Sequence, residues 1–187
     1  MVQNSEGLGS NDQLAMTLAS TNLRLRDATA DDIDYIVVQE ARPDFAAFIC
    51  RWGRARHEGN LDDPDKLYWI VEDEAKRLGY VILAGLAGEN DSIELVRILI
   101  AAPDRGLGRR VLAIVMERVF EGLGAHRLWL DVFPDNARAR HVYRSMGFAE
   151  EGTLRDALRF GDGYASLVIM SMLAPEYRQR AVGARSA

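Results

Sequence analysis

The first part of the chain alternates apolar and polar positions in a way that predicts strands with two early helices. Residues 23–26 alternate leucine with arginine, the pattern of a half-buried strand. Thr29 begins a helix in which Asp32 completes a variant of the capping box, and a second helix is predicted over 45–56. Three apolar strands follow, over 68–71, 78–86 and 93–100, with polar turns between them.

The second part of the chain alternates helices with strands. A helix over 108–121 carries apolar residues at the spacing of one buried face and ends at Gly122 and Gly124. A buried strand over 128–133 precedes a helix that begins at Asp135 or Asn136. That helix runs to Met146 and Gly147 ends it, after which strands are predicted over 148–150 and 167–173.

This order of elements predicts an α/β fold of the α+β type. Strands that first meander and then alternate with helices imply a mixed, largely antiparallel central sheet with helices on both faces. No internal repeat or second composition zone is present, so we expect one domain over 21–175. Residues 1–20, rich in Ser, Asn, Gly, Gln and Thr, are predicted to be a flexible segment, and 176–187 a C-terminal tail.

Composition narrows the classes of function. Of the 187 residues 48% are hydrophobic and 27% charged, and the net charge is −5, which argues against a whole-surface attraction to nucleic acid or to anionic membranes. No apolar run reaches membrane-spanning length, and the first residues do not resemble a secretory signal. With a single cysteine and three scattered histidines, no metal site is expected, and a cytoplasmic location is predicted.

The turn Arg105-Gly106-Leu107-Gly108-Arg109-Arg110 has the chemistry of a diphosphate site. It lies between an apolar strand and an amphipathic helix, whose N-terminus presents unpaired N–H groups and a partial positive charge. Glycines permit close approach of an anion, and arginines add charge-assisted hydrogen bonds. No Gly-Lys-Ser/Thr follows the turn, which excludes a P-loop. The third glycine of a Rossmann motif is also absent, which argues against a Rossmann site.

A second motif follows the strand 128–133. The segment Asn136-Ala-Arg-Ala-Arg-His-Val-Tyr143-Arg-Ser-Met-Gly147-Phe148 places a tyrosine seven residues after an asparagine and ends in Gly-Phe. Together with the turn at 105–110, in this order, it resembles the GNAT superfamily of N-acetyltransferases. The resemblance implies a sheet that splays apart between its fourth and fifth strands, which here are 93–100 and 128–133.

The resemblance also implies how acetyl-CoA would be held. The backbone around Ile98 and Ile100 would pair with the pantetheine arm. The turn 105–110 would hold the pyrophosphate, although Pro103 stands where the family usually has Gln or Arg. Asn136 would bind the pantetheine amide region, Tyr143 would lie beside the sulfur, and Arg140 on the same helix would meet the ribose phosphate.

Two carboxylates are candidates for the general base. Asp131 lies in the middle of an apolar strand, where a charge is costly unless it is used or paired, and it matches the position of a catalytic glutamate in the similar ribosomal-protein alanine acetyltransferases. Glu94 lies on the facing strand. The alternative for each is a structural ion pair, for example Glu94 with Arg97. Tyr143 is predicted to hydrogen-bond or protonate the leaving thiolate, or else to be a core tyrosine.

These features predict an enzyme that transfers the acetyl group of acetyl-CoA to a primary amine, by direct attack in a ternary complex. The acceptor is a protein N-terminal α-amine or a small-molecule amine. An acidic stretch at 58–76 is either a rim that would attract a cationic amine or ordinary surface. Possible wall residues of the acceptor site are Trp52, His57, Tyr68 and Tyr164. The alternatives are a non-catalytic acyl-CoA sensor and a structural domain, and family habit alone suggests a homodimer.

Overall fold

The computed structural model of the chain describes residues 22–101 and 106–185. Within them a seven-stranded sheet has the order β1-β2-β3-β4-β5-β7-β6. All neighbouring strands are antiparallel except β4 and β5, which are parallel. The strands are β1 Arg24–Asp27, β2 Lys66–Asp73, β3 Lys76–Ala84, β4 Ser92–Ile100, β5 Arg127–Val132, β6 Ala149–Phe160 and β7 Gly163–Leu173.

In the described residues five α-helices pack on this sheet, and a 3-10 turn, Ala30–Asp32, precedes the first of them. A π-helical turn, Arg118–Gly122, extends the third. The helices are α1 Ile33–Glu40, α2 Arg54–Leu61, α3 Leu107–Glu117, α4 Ala137–Met146 and α5 Ala174–Arg185. The predicted capping box at Thr29 and Asp32 is present, Asn136 caps α4, and Gly147 ends it with φ of 99°.

The sheet separates two hydrophobic clusters. The larger cluster includes α3 residues such as Val111 and Val115 and the inward side chains of β2 to β5 and β7. The smaller cluster joins Ile36 of α1 to β2, β3 and β4 through Tyr68, Tyr80 and Leu99. Helices therefore cover both faces, and the predicted fold class is confirmed.

The parallel strands β4 and β5 pair only at their first residues. Ser92 to Glu94 lie opposite Arg127 to Trp129, and no pairing between the two strands continues beyond Glu94. Residues 96–100 on one side and 130–132 on the other therefore border a gap that widens toward the carboxyl ends of both strands. This is the predicted splay between the fourth and fifth strands.

The predicted second helix over 45–56 is wrong. Residues 43–48 form turns, and α2 begins only at Arg54 and ends at Leu61. Side chains from elsewhere in the chain bind the backbone just before α2: Glu40 accepts from Trp52 N at 2.8 Å, and Arg97 donates to Cys50 O at 2.7 Å. Backbone groups that are hydrogen-bonded to these side chains do not form the backbone hydrogen bonds of a helix.

The last part of the chain is more regular than its pattern indicated. β6 extends over Ala149–Phe160 rather than 148–150, and β7 begins at Gly163. Ala174–Arg185 form α5, where a tail had been expected from 176, and Tyr177 stacks on Phe120 at 4.9 Å between ring centroids. The N-terminal segment predicted over 1–20 lies outside the described residues.

Asp32 is expected to stabilise the fold in a pH-dependent way. Its buried carboxylate accepts two hydrogen bonds from Arg26, at 2.7 and 2.8 Å. These bonds lower the pKa of Asp32 to about 2, although burial acts in the opposite direction. A carboxyl whose pKa is lowered on folding stabilises the protein above its unfolded pKa, and that contribution is lost as pH falls from about 4 to 2. We predict that Asp32→Asn lowers the free energy of unfolding by roughly 2 kcal/mol at pH 7.

Urea denaturation of both proteins at pH 7 and pH 3 checks this prediction, with the neighbouring exposed residue in Asp31→Asn as the control. The difference between wild type and Asp32→Asn shrinks at pH 3. An equal difference at both pH values would contradict the electrostatic role.

Candidate active site

The gap between β4 and β5 brings two carboxylates to one face of the sheet. Ile93 and Leu95 pack in the larger cluster, so Glu94 between them points to the opposite face. On β5, Leu130 and Val132 pack in that same cluster, so Asp131 also points to the opposite face. The two acidic side chains therefore share the face that carries α1 and α2, on either side of the gap.

A β-bulge in β4 marks the place where the strands part. Ile82 pairs with Arg97 and Leu83 pairs with Leu95, so Val96 is the extra residue. Because of the bulge, Arg97 stays on the face of α1 and α2, while Ile98 and Ile100 pack toward the larger cluster. Ile98 and Ile100, the predicted pantetheine-binding residues, thus lie on the part of β4 that pairs with β3 but not with β5.

The pKa values of both carboxyl groups are raised, and the charge of Asp131 contributes to the shift of Glu94. Burial raises the pKa of half-buried Glu94, and the negative charge of Asp131 raises it further. The side chain of Asp131 is exposed, but the protein atoms around it reduce its hydration. This desolvation raises the pKa of Asp131, and the positive charge of Arg97 opposes the shift. A carboxylate with a raised pKa is a better proton acceptor than an ordinary one.

Tyr143 lies on the other side of the gap. It projects from α4 and packs against the larger cluster, with its ring centroid 5.8 Å from that of Phe148. Burial raises its pKa to about 12, and the charge of Asp131 contributes to the shift. The phenol is therefore protonated at neutral pH and can donate a hydrogen bond.

Among the described residues, the N-terminus of α3 has space beside its glycines. Gly106 caps the helix with φ of 67°, and a Cβ added to Gly106 or to Gly108 would meet no atom of the described residues within 4 Å. Leu107 is buried, so only its backbone faces this space, while Arg109 and Arg110 are exposed. Arg105, the remaining predicted residue of the turn, lies outside the described residues.

Helix α4 uses its predicted cofactor residues partly within the protein. Asn136 Oδ1 accepts from Ala139 N at 3.1 Å, which fixes the asparagine as the N-cap of α4, just after β5. Arg140 donates to Pro134 O at 2.9 Å and pairs with Glu150, and Arg144 pairs with Glu150 as well. A role for Arg140 in binding ribose phosphate stays a prediction, and it would require the arginine to exchange Glu150 for the phosphate.

The sequence did not reveal the buried carboxylate of Glu40, which bonds Arg97. Glu40 Oε1 accepts from Tyr80 at 2.8 Å and lies 3.3 Å from Nε2 of fully buried His57. Arg97 is thus paired with Glu40 and not with Glu94. One signal was present in the sequence: Glu40 lies on the apolar stripe of α1, seven residues after Ile33.

Among the predicted wall residues, three belong to this buried cluster. The ring of His57 is 5.6 Å from Trp52 and 5.9 Å from Tyr68, between centroids. Tyr164 lies in the β6–β7 hairpin and is 69% exposed. Trp52, His57 and Tyr68 therefore lie on the face of the sheet on which Glu94 and Asp131 also lie.

A separate groove of about 610 Å³ lies between α3, α4 and α5. Ala113, Met116, Met146 and Tyr177 line it together with Arg109 and Arg180. It contains none of Glu94, Asp131 and Tyr143, so it is distinct from the gap. In the described parts of the chain, no group of His, Cys, Asp and Glu side chains is arranged to hold a metal ion. None of the helices described in the structure combines the length and apolar character of a membrane span.

The model of the acetyltransferase (GNAT) family matches residues 32–148. Spermidine N(1)-acetyltransferase of Vibrio cholerae is 30% identical over 124 residues, which cover 65% of this chain and 71% of that protein. The enzyme of the same name from Escherichia coli K12 is 25% identical over 124 residues, 65% of this chain and 66% of its own length. These alignments thus span about two thirds of each relative.

Solved structures agree on the fold. Spermidine N-acetyltransferase from Vibrio cholerae in complex with CoA and spermine superposes with a TM-score of 0.75 at 23% identity, over 85% of this chain and 99% of that one.

Electrostatic coupling across the gap gives a direct prediction. Asp131→Asn removes the negative charge that raises the pKa values of Glu94 and Tyr143, so both pKa values should fall toward their ordinary values. NMR titration of the Glu94 carboxyl and the Tyr143 ring checks this, with exposed Asp135→Asn as the control. An unchanged Glu94 pKa in Asp131→Asn would show that the two carboxyl groups do not interact.

Proposed function

The chain belongs to the acetyltransferase (GNAT) family, and we propose that it transfers the acetyl group of acetyl-CoA to a primary amine in a ternary complex. Membership of the family confirms the predicted enzyme class and cosubstrate at the level of the family. The observation that carries the proposal is the gap between β4 and β5, with Tyr143 on one face of the sheet and Glu94 and Asp131 on the other. A thioester held in the gap would meet a proton donor from one side and an amine from the other.

The residues that are present fit acetyl-CoA. The free backbone edges of β4 and β5 suit an extended pantetheine arm, which pairs like an added strand. The open N-terminus of α3 at Gly106 and Gly108, with Arg109 and Arg110 beside it, suits the pyrophosphate. Asn136, fixed as the cap of α4, would bind the pantetheine amide region.

Glu94 and Asp131 would remove protons from the acceptor. A lysine-like amine, with pKa near ~10.4, arrives charged and must lose a proton before its nitrogen can attack the thioester carbonyl. The two carboxylates attract the ammonium group, and their raised pKa values favour proton acceptance, directly or through water. When one carboxyl takes the proton, the repulsion between the pair is relieved.

Tyr143 would serve the leaving group. As the amine nitrogen bonds to the acetyl carbon, the C–S bond breaks and negative charge develops on sulfur. The protonated phenol of Tyr143 would donate a hydrogen bond to that sulfur. Because the high pKa of Tyr143 disfavours transfer of the phenol proton, CoA would leave as a thiolate and take its proton from solvent afterwards.

A cationic small-molecule amine is the acceptor that the cleft supports best. Glu94 and Asp131 lie together, with Asp65 close enough to affect the Glu94 pKa and Lys66 opposing it. Relatives named for spermidine acetylation point to the same class of acceptor. A protein N-terminus carries a single positive charge and would be attracted less strongly to these carboxylates than a polyamine. A homodimer and a cytoplasmic location stay predictions.

An acetylation assay tests the proposed function. The protein is incubated with acetyl-CoA and one amine at a time, and the products are identified by mass spectrometry. The amines are spermidine, a peptide with a free N-terminus and neutral side chains, and a monoamine. We expect acetylated spermidine as the leading product, and binding of acetyl-CoA should raise the melting temperature by mass action. Stabilisation by acetyl-CoA without any acetylated product would instead favour a non-catalytic acyl-CoA sensor.

Tyr143→Phe is expected to lower kcat by roughly tenfold to a hundredfold with little change in KM for acetyl-CoA. The phenyl ring keeps the packing against Phe148 but cannot donate to the developing thiolate. Steady-state kinetics measure the effect, with Tyr35→Phe as a control that removes a hydroxyl without a hydrogen-bond partner among the described residues. A kcat equal to that of wild type would exclude Tyr143 from the chemistry.

A further inference from the structure

The carboxylate of Glu40, at the end of α1, joins five segments of the chain. Only 1% of the residue is exposed. Its Oε1 accepts from Tyr80 on β3 and Arg97 on β4 and lies near His57 on α2, and its Oε2 accepts from Trp52 N at 2.8 Å. A buried carboxylate with this many partners fixes their relative positions.

Arg97 completes the link to the segment before α2. Its guanidinium donates to Cys50 O at 2.7 Å and lies 4.5 Å from the ring centroid of Trp52, which Arg56 contacts at 3.9 Å. The backbone at Cys50 and Trp52 is therefore held by the Glu40–Arg97 pair rather than by a helix. Breaking the pair would release this segment from β4.

The pair also sets the charge next to the two catalytic candidates. Arg97 follows Glu94 by three residues on the same face of β4, and it is close enough to Asp131 to lower that residue's pKa. An uncompensated guanidinium here would repel a cationic acceptor. Glu40 supplies the compensating negative charge from the opposite side.

We propose that Glu40 is a positioning residue for the acceptor amine. It holds Arg97 against Cys50 and Trp52, so that this segment is a fixed wall beside Glu94 and Asp131. Its charge also cancels that of Arg97 and preserves the attraction of the cleft for cations. The proposal rests on the proposed function for its kinetic consequence, but the contact itself is independent of activity.

Glu40→Gln separates acceptor binding from coenzyme binding. The amide keeps the size of the side chain but leaves the charge of Arg97 uncompensated. We expect KM for spermidine to rise by about tenfold while KM for acetyl-CoA changes by less than about twofold. Tyr80→Phe is the matched control, because it removes one hydrogen bond to Glu40 and leaves the charge and the bond to Trp52 intact.

The double variant Glu40→Gln/Arg97→Gln covers the case in which Glu40→Gln does not fold, because it leaves no unpaired buried charge. Its KM for spermidine should lie below that of Glu40→Gln but above that of wild type, because the charge is balanced again while the wall stays released. If the single variant is unfolded, the KM of the double variant should exceed that of wild type by about threefold. An equal rise in both KM values, an unchanged KM for spermidine, or a double variant that binds spermidine no better than the single one would overturn the proposal.

Hydrogen exchange of the Trp52 amide, followed by NMR without substrate, tests the contact separately. We expect about tenfold faster exchange in whichever of these two Glu40 variants folds, and wild-type exchange in Tyr80→Phe. Unchanged exchange in that Glu40 variant overturns the proposal whether or not the protein acetylates amines. If wild type acetylates nothing while exchange accelerates as expected, the proposed function fails and the contact stands.

Discussion

Parallel pairing between β4 and β5 stops at Glu94, and the rest of the site depends on this interruption. Paired strands satisfy their backbone N–H and C=O groups with each other, and an interruption inside a sheet leaves them for another partner. The bulge at Val96 turns the next residues of β4 away from the regular alternation. A sheet that would otherwise be continuous thus has an opening between β4 and β5, and its two faces carry different side chains there.

Each face contributes a different chemical group to that opening. The face of α3 and α4 supplies the phenol of Tyr143 and the start of a helix, which suit a thiol ester and its phosphates. The face of α1 and α2 supplies Glu94 and Asp131, which suit an amine. The charge of Asp131 raises the pKa values of both Glu94 and Tyr143, so it acts on a group on each side of the gap.

Periodicity predicted most of the fold because most elements bury one regular face. The strands from β2 to β5 and the helices α3 and α4 follow that rule, and the cap at Asn136 and the end at Gly147 depend on local chemistry alone. The segment before α2 broke the rule, because Glu40 and Arg97 bind its backbone from distant positions. Helix α5 has no regular apolar stripe, and β6 is largely exposed, so neither produced a pattern.

The candidate site was accessible from sequence for a similar reason. Glu94, Asp131, Asn136 and Tyr143 belong to short motifs or to charges placed inside apolar strands, which are visible without coordinates. The Glu40–Arg97 pair joins residues 57 positions apart in the chain, and only folding brings them together. No local signal specifies such a partner, although a carboxylate on an apolar helical stripe indicates that some partner exists.

Backbone hydrogen exchange with and without CoA tests the role of the gap most directly. If the unpaired edges of β4 and β5 receive the coenzyme, added CoA will slow exchange in residues 96–100 and 130–136 and at the start of α3. Protection confined to the groove between α3, α4 and α5, or no protection at all, would contradict the account.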